Sequence, residues 1–334
     1  MFKEFFLKEL IPGLKSPMVW IFFGLFGLLA GAAVASDSVQ IGGAIGNIHK
    51  NAPDIITTFV LVLCIFGLLI ATAFFNNAAL RDTNHGFNEI MFSLPISKPG
   101  YFFGRFLGAL VLSTIPFFGI FLGVWIGTVI SPLAGWVDAE RFGDFYLSTF
   151  TNNYFLFILP NMFIGGSIIF FLAHKFKSTI VSFVGALIIV ILYIVSGNLL
   201  SDIENETLGA MMDVFGIRTY AIYTKYWTPS EKNTLGPVFE GLILQNRLIW
   251  IGFALLISAI SYKLFSFTIK KSSSKKNAAA IEVEEEQEID VERIKTWKGI
   301  FNGNTGWAQF VSFYKTNTIS IIKNNVFRIL FLFS

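Results

Sequence analysis

Hydrophobic residues in this chain come in long unbroken runs, and charged residues are confined to the breaks between them. About 20 apolar residues span roughly 30 Å of hydrocarbon as a helix. Six runs approach that length: Met18 to Ala35, Ile55 to Phe75, Phe106 to Ile130, Tyr154 to Ala173, Thr179 to Gly197 and Leu248 to Phe267. The last carries the one charge, Lys263, near enough to its end to snorkel. Ahead of the first run, MFKEFFLKEL sets Phe2, Phe5, Phe6 and Leu10 against Lys3, Glu4, Lys8 and Glu9, an amphipathic helix lying at the interface. That leader and the lack of a convincing processing site argue against a cleaved signal peptide. The pattern predicts an all-α integral membrane protein with a six-helix bundle.

Composition agrees. Of 334 residues, 54% are hydrophobic, 39 are Phe and 14% are charged, with a mean hydropathy of +0.65, which excludes an ordinary soluble domain. Cys64 is the single cysteine and lies inside an apolar run, so a disulfide framework and a Cys-based metal site are excluded. Lys3, Lys8, Lys15, Arg81, Lys98, Arg105, Lys175, Lys177 and the lysines from Lys263 to Lys276 fall on one side of the six spans. Lys50, Arg141, Arg218, Lys225, Lys232 and Arg247 fall on the other. The excess places both ends of the bundle in the cytoplasm.

The loop between the second and third spans reads RDTNHGFNEIMFSLPISKPGYFFGRFLG over residues 81–108. Phe87, Ile90, Met91 and Leu94 have the spacing of one face of a short helix, with Asn84, His85, Asn88 and Glu89 opposite. Asp82, Thr83 and Asn84 are candidate caps, and Pro95 ends it. Such a helix either rests at the lipid boundary or docks into a soluble partner.

Within the spans the polar residues are Thr57, Thr58, Thr72, Ser113, Thr114, Asn161, Ser167 and Ser182, expected mostly as hydrogen bonds within and between helices. No Asp or Glu falls inside a span, which counts against a proton- or sodium-driven carrier, since such carriers place ionisable groups at mid-membrane. Pro116 and Pro160 are candidate gating kinks or packing accommodations. His49, His85 and His174 lie in separate loops, and neither a zinc-peptidase motif nor a Ser-His-Asp grouping is present. No catalytic, cofactor-binding or metal-binding residue is expected within residues 1–334. Trp20, Trp136, Trp227 and Trp250 suit the membrane boundary. The outer segment from Asn198 to Arg247 predicts short helices at Leu208 to Val214 and Val238 to Leu244.

The order R-D…G-F-N-E-I-M-F-S-L-P-I-S-K…Y-F-F-G-R resembles the cytosolic coupling segment of the type-2 (ABC-2) permeases of ABC transporters, and the leader resembles their interfacial elbow helix. The resemblance covers residues 1 to about 270. It implies a bacterial inner-membrane permease with a cytoplasmic N-terminus, an exporter driven by a separate nucleotide-binding ATPase subunit. Phe87, Ile90, Met91 and Leu94 would fill a groove of that partner, with Arg81, Asp82, His85 and Glu89 as polar contacts at its rim. ATP and Mg would reside on the partner, because this chain lacks a G-x-x-x-x-G-K-[ST] phosphate loop. The other partners implied are the lipid bilayer and a second permease half, in the same chain or as a dimer; nucleic acid is not among them. The front of Bacteroidetes-type fusions between ABC permeases and M1 zinc aminopeptidases is also similar, which leaves an anchor for a peptidase beyond residue 334 as the alternative.

The expected organisation is an elbow helix over 1–17, the six-span permease domain over 18–270, a charged cytoplasmic linker over 271–306 and the start of a second permease half over 307–334. The last expectation rests on SFYKTNTISIIKNNVFRILFLFS, which repeats the plan of FFLKELIPGLKSPMVWIFFGLF. The run from Val326 to Phe333 is too short to cross a membrane, so continuation past Ser334 is expected.

Overall fold

A computed structural model describes residues 1–36, 47–199, 206–267 and 303–323, and every regular element among them is helical. Two compact units divide the chain, Met1–Ile269 and Lys270–Ser334.

In the first unit the leader forms α1 (Phe2–Lys15). Ser16 breaks it and opens α2 (Pro17–Ala35): its hydroxyl accepts from the Met18 amide, and Pro17 occupies the first turn, where a missing N–H costs nothing. The second expected span is the long helix α3 (Pro53–Asn84). Its 32 residues measure about 48 Å, well beyond the hydrocarbon thickness, so both ends protrude. Asp54 and Asp82, expected in loops, therefore belong to its two end turns. After the short helix α4 (Asn88–Ser93), the third span is one path of two helices, α5 (Lys98–Thr114) and α6 (Phe118–Leu133), joined by a 3₁₀ turn at Ile115–Phe117. Pro116 sits in that turn, where its absent N–H is absorbed. In the fourth span a π-helical turn, Tyr154–Ile158, lies between α7 (Leu147–Asn153) and α8 (Leu159–Phe176). Pro160 follows that turn at the start of α8, so both span prolines mark irregular turns.

The helix α9 (Thr179–Leu199) occupies the fifth expected span, and α10 (Glu206–Met212), α11 (Ile217–Tyr223) and α12 (Pro229–Thr234) form the segment before α13 (Gly241–Leu264). The helix expected at Leu208 to Val214 is present as α10; the one expected at Val238 to Leu244 is not separate, because α13 begins at Gly241. Among the described residues five helical stretches are long and apolar enough to cross a membrane: Pro17–Ala35, Pro53–Asn84, Lys98–Leu133, Leu147–Phe176 and Gly241–Leu264. In α9 the described apolar stretch is Thr179–Ile191, shorter than the other five. The chain is a multi-pass membrane protein.

Helix α3 is the most buried, packed between α5, α8 and α9 with Val60, Cys64, Ile70 and Phe75 fully enclosed. Of the five long apolar stretches α2 and α13 are the least buried; Ile21, Leu28, Leu255 and Leu256 are exposed, as an apolar medium permits. Helix α2 packs on α6 along glycines: a Cβ on Gly27 would lie 3.0 Å from the Gly119 carbonyl and one on Gly31 2.9 Å from that of Gly123. Backbones meet there with no side chain between them, the close approach by which membrane helices gain dispersion and Cα–H contacts. The polar span residues bond within and between helices as expected: Thr57, Thr58, Thr72 and Ser167 each donate to the carbonyl four residues earlier, and Asn161 bonds across to the Phe215 carbonyl and Arg247.

Two polar ends result. At one, the His49 amide donates to Asn233 Oδ1, Asn152 donates to the Pro237 carbonyl and Lys232 approaches Asp54. At the other, Glu9, Arg81 and Arg105 converge and Lys98 reaches the Lys263 carbonyl. His174, expected at the interface, packs among Phe102, Phe170 and Phe265 at this second end.

In the second unit α14 (Gly303–Lys323) covers the front of the tail expected to repeat the leader, and Trp307, Phe310 and Tyr314 stack along one side of it. Most of the charged linker and the run from Val326 to Phe333 lie outside the described residues.

Candidate functional site

The loop after α3 is built by a reversal at His85-Gly86-Phe87. Gly86 takes φ +67°, a backbone conformation that costs a side-chain-bearing residue dearly, and the Phe87 amide then returns to the Asp82 carbonyl at 2.8 Å. Asp82, Thr83 and Asn84 consequently end α3 rather than cap α4, whose N-cap is Phe87 with no side-chain bond. The chain is helical here for longer than expected because the end of α3 is packed, as the next contacts show.

Phe92 fastens α4 to the bundle. Its ring lies 5.1 Å from that of Phe267 and 6.0 Å from that of Tyr101, and Met91 is half-buried beside it. Phe87, Ile90 and Leu94 point the other way and are 46%, 57% and 49% exposed. His85 is exposed with them; Glu89 lies in α4, with its side chain outside the described set. The expected apolar face is thus split, with Met91 turned inward and three residues forming an exposed knob.

Directly beneath, four charges close on one another. Arg105 on α5 binds Asp82 at 2.5 Å, donates to the Ala78 carbonyl at 3.0 Å and lies 3.7 Å from Glu9. Arg81 binds Glu9 at 2.9 Å, and the Tyr101 hydroxyl donates to Asp82 at 2.9 Å. The Arg105 guanidinium also stands 4.8 Å over the Tyr101 ring. Two carboxylates and two guanidiniums cancel, which is what allows Glu9, Asp82 and Arg105 to be buried. Glu9, expected on the wet face of α1, is 3% exposed, and burial pushes its carboxyl above the ordinary value against the pull of Arg81 and Arg105. Arg81 and Asp82, expected as rim contacts for a partner, are instead committed to this cluster. It joins α1, α3 and α5 behind α4. It offers no nucleophile or metal site; among the described residues no group of three or more His, Cys, Asp or Glu side chains could hold a metal.

At the opposite end Arg247, read from sequence as an outer-loop cation, is fully buried. It donates to Asn246 and Asn161 Oδ1, both at 2.8 Å, and to the Val214 carbonyl at 3.1 Å. Asn161 in turn donates to the Phe215 carbonyl at 2.9 Å. Asp213 uses its carboxylate on the backbone amides of Phe215, Gly216, Arg218 and Thr219, capping α11; burial raises its pKa against those bonds. The network ties the α10–α11 segment onto α8 and α13. The signal that could have found it is the pair Asn246-Arg247 one turn inside an apolar helix. Pro116 and Pro160 are both buried and lie outside both clusters.

Compared with known proteins, the chain matches no protein-family model and no curated protein.

Proposed function

We propose that this chain is the membrane-spanning permease subunit of an ATP-driven ABC-2 type transporter, an exporter in the bacterial inner membrane, with its N-terminus in the cytoplasm. A separate nucleotide-binding subunit would seat on the loop 81–100, and a second permease half, in the same chain or as a dimer, would complete the pathway. The observation that carries this reading is the knob of Phe87, Ile90 and Leu94, apolar and exposed on a short helix pinned to the polar end of the bundle where basic residues gather. An apolar face held rigidly clear of the membrane domain suits docking of a soluble partner. The neutral charge cluster behind it suits transmission, since it links the end of α3, from which α4 continues, to α1 and α5 without a free charge to solvate.

The test replaces Phe87 and Ile90 together by Asp in the full chain, purified in nanodiscs. Vanadate-sensitive ATPase activity is expected to co-purify with the wild-type chain and to be lost from the variant, while insertion is unchanged. Equal activity with a correctly inserted variant rejects the docking role, and no co-purifying ATPase with the wild type rejects the reading.

A further inference from the structure

A separate feature sits at the other polar end, where α3, α11 and α12 enclose a cavity of 250 Å³. Asp54, Thr58 and Leu61 form one wall, and Tyr220, Lys225 and Lys232 line the others. Its charges are incompletely matched. The Asp54 carboxylate is 2% exposed, and Lys232 is its cation at 3.5 Å, well outside the 2.7–2.9 Å of a charge-assisted hydrogen bond. Lys232 belongs to a six-residue helix and is partly exposed, so its ammonium can withdraw at little cost. Lys225 at the rim is already held by Glu206 at 2.7 Å. The Tyr220 hydroxyl is buried beside Asp54 and Thr57 and interacts with both, so it helps to fix the Asp54 carboxylate in the wall.

We propose that this cavity binds a small zwitterion of the amino-acid class. The ligand's ammonium takes the Asp54 carboxylate, Lys232 swings from Asp54 to the ligand's carboxylate, and an aliphatic side chain lies on Leu61, Ile217 and Ala221. Charge complementarity selects that class. The fixed carboxylate and the movable ammonium make a neutral, dipolar site, so a bare cation leaves Lys232 displaced and unmatched, and a bare anion meets Asp54. Size selects small members, because the volume falls just below the range of about 300–1,000 Å³ that takes drug-sized ligands. The inference does not depend on an ATPase or on transport.

The test is calorimetric titration of the full chain in nanodiscs with L-leucine, with isoamylamine, which lacks the carboxylate, and with 4-methylpentanoate, which lacks the ammonium. L-Leucine is expected to bind at least about tenfold more tightly than either analogue, which corresponds to 1.4 kcal/mol or more. Asp54→Asn is expected to weaken L-leucine at least about tenfold. Lys232→Met, at a partly exposed position on a short helix, is expected to abolish the preference for L-leucine over isoamylamine. If Asp54→Asn does not fold, the Lys232→Met result decides alone. Absence of L-leucine binding, equal binding of an analogue, or an unchanged preference in Lys232→Met overturns the proposal.

Discussion

Glu9 shows how a single charge is relocated by its neighbours. In the periodicity of α1 it belongs with Lys8 on the wet face, yet it is buried against α5 because Arg81 and Arg105 meet it there. The exchange is uneven: burial dominates, so its carboxyl sits above the ordinary value of 4.5 despite the two arginines. A raised folded-state pKa means that protonation favours the docked form. The stabilisation is full below pH 4.5 and is lost as pH rises through the raised value. Thermal unfolding in detergent from pH 4.5 to 7 is therefore expected to show a steeper decline for the wild type than for Glu9→Gln, which keeps a hydrogen-bonding group but does not titrate. Parallel curves would show that Glu9 is not perturbed by burial. Arg247 makes the same point at the other end: counted as an outer cation, it is inside, because Asn161 and two backbone carbonyls stand where it enters.

Among elements, the coupling-like loop and the glycine seam differ in what sets them. The spacing put Phe87, Ile90, Met91 and Leu94 on one face of α4; three of them are exposed, but Met91 turns inward, and the anchor at Phe92 was not legible. Phe92 and Met91 face the bundle because Tyr101, Phe265 and Phe267 gather there from two other segments. The seam between α2 and α6 depends on having nothing at Gly27, Gly31, Gly119 and Gly123. A Cβ on Gly123 would overlap the Gly27 carbonyl, so Gly123→Val must part the two backbones. A cost of about 1–3 kcal/mol is expected, as for other overpacked interfaces, read as a lower unfolding temperature in detergent. Gly24→Val, where a Cβ meets nothing, is the matched control, and equal loss in both would dismiss the seam.

Across the first unit, the described helices alternate between two polar ends, and the described loops that meet at each end are those that charge counting grouped together. With the proposed orientation, cysteines at Ser148 and Ser230, both exposed at the end that holds Asp54, label from outside intact cells. A cysteine at Ser97, exposed at the end that holds Arg105, labels only after permeabilisation. The opposite pattern would invert the molecule in its membrane and remove the knob from the cytoplasm.

By itself the sequence determined that the chain is an α-helical membrane protein, where its apolar helices lie, and that one polar loop carries a short amphipathic helix. Those properties follow from local length and spacing, because a stretch of about twenty apolar residues has few stable states other than a buried or membrane helix. Tertiary structure alone decided which charges are spent inside the protein. Arg81 meets Glu9 from 72 positions away, Arg247 meets Asn161 from 86, and Lys232 lies over Asp54 across the outer loops. The fate of a charge depends on the group facing it, and which helices face one another is settled by packing that no single stretch of chain encodes.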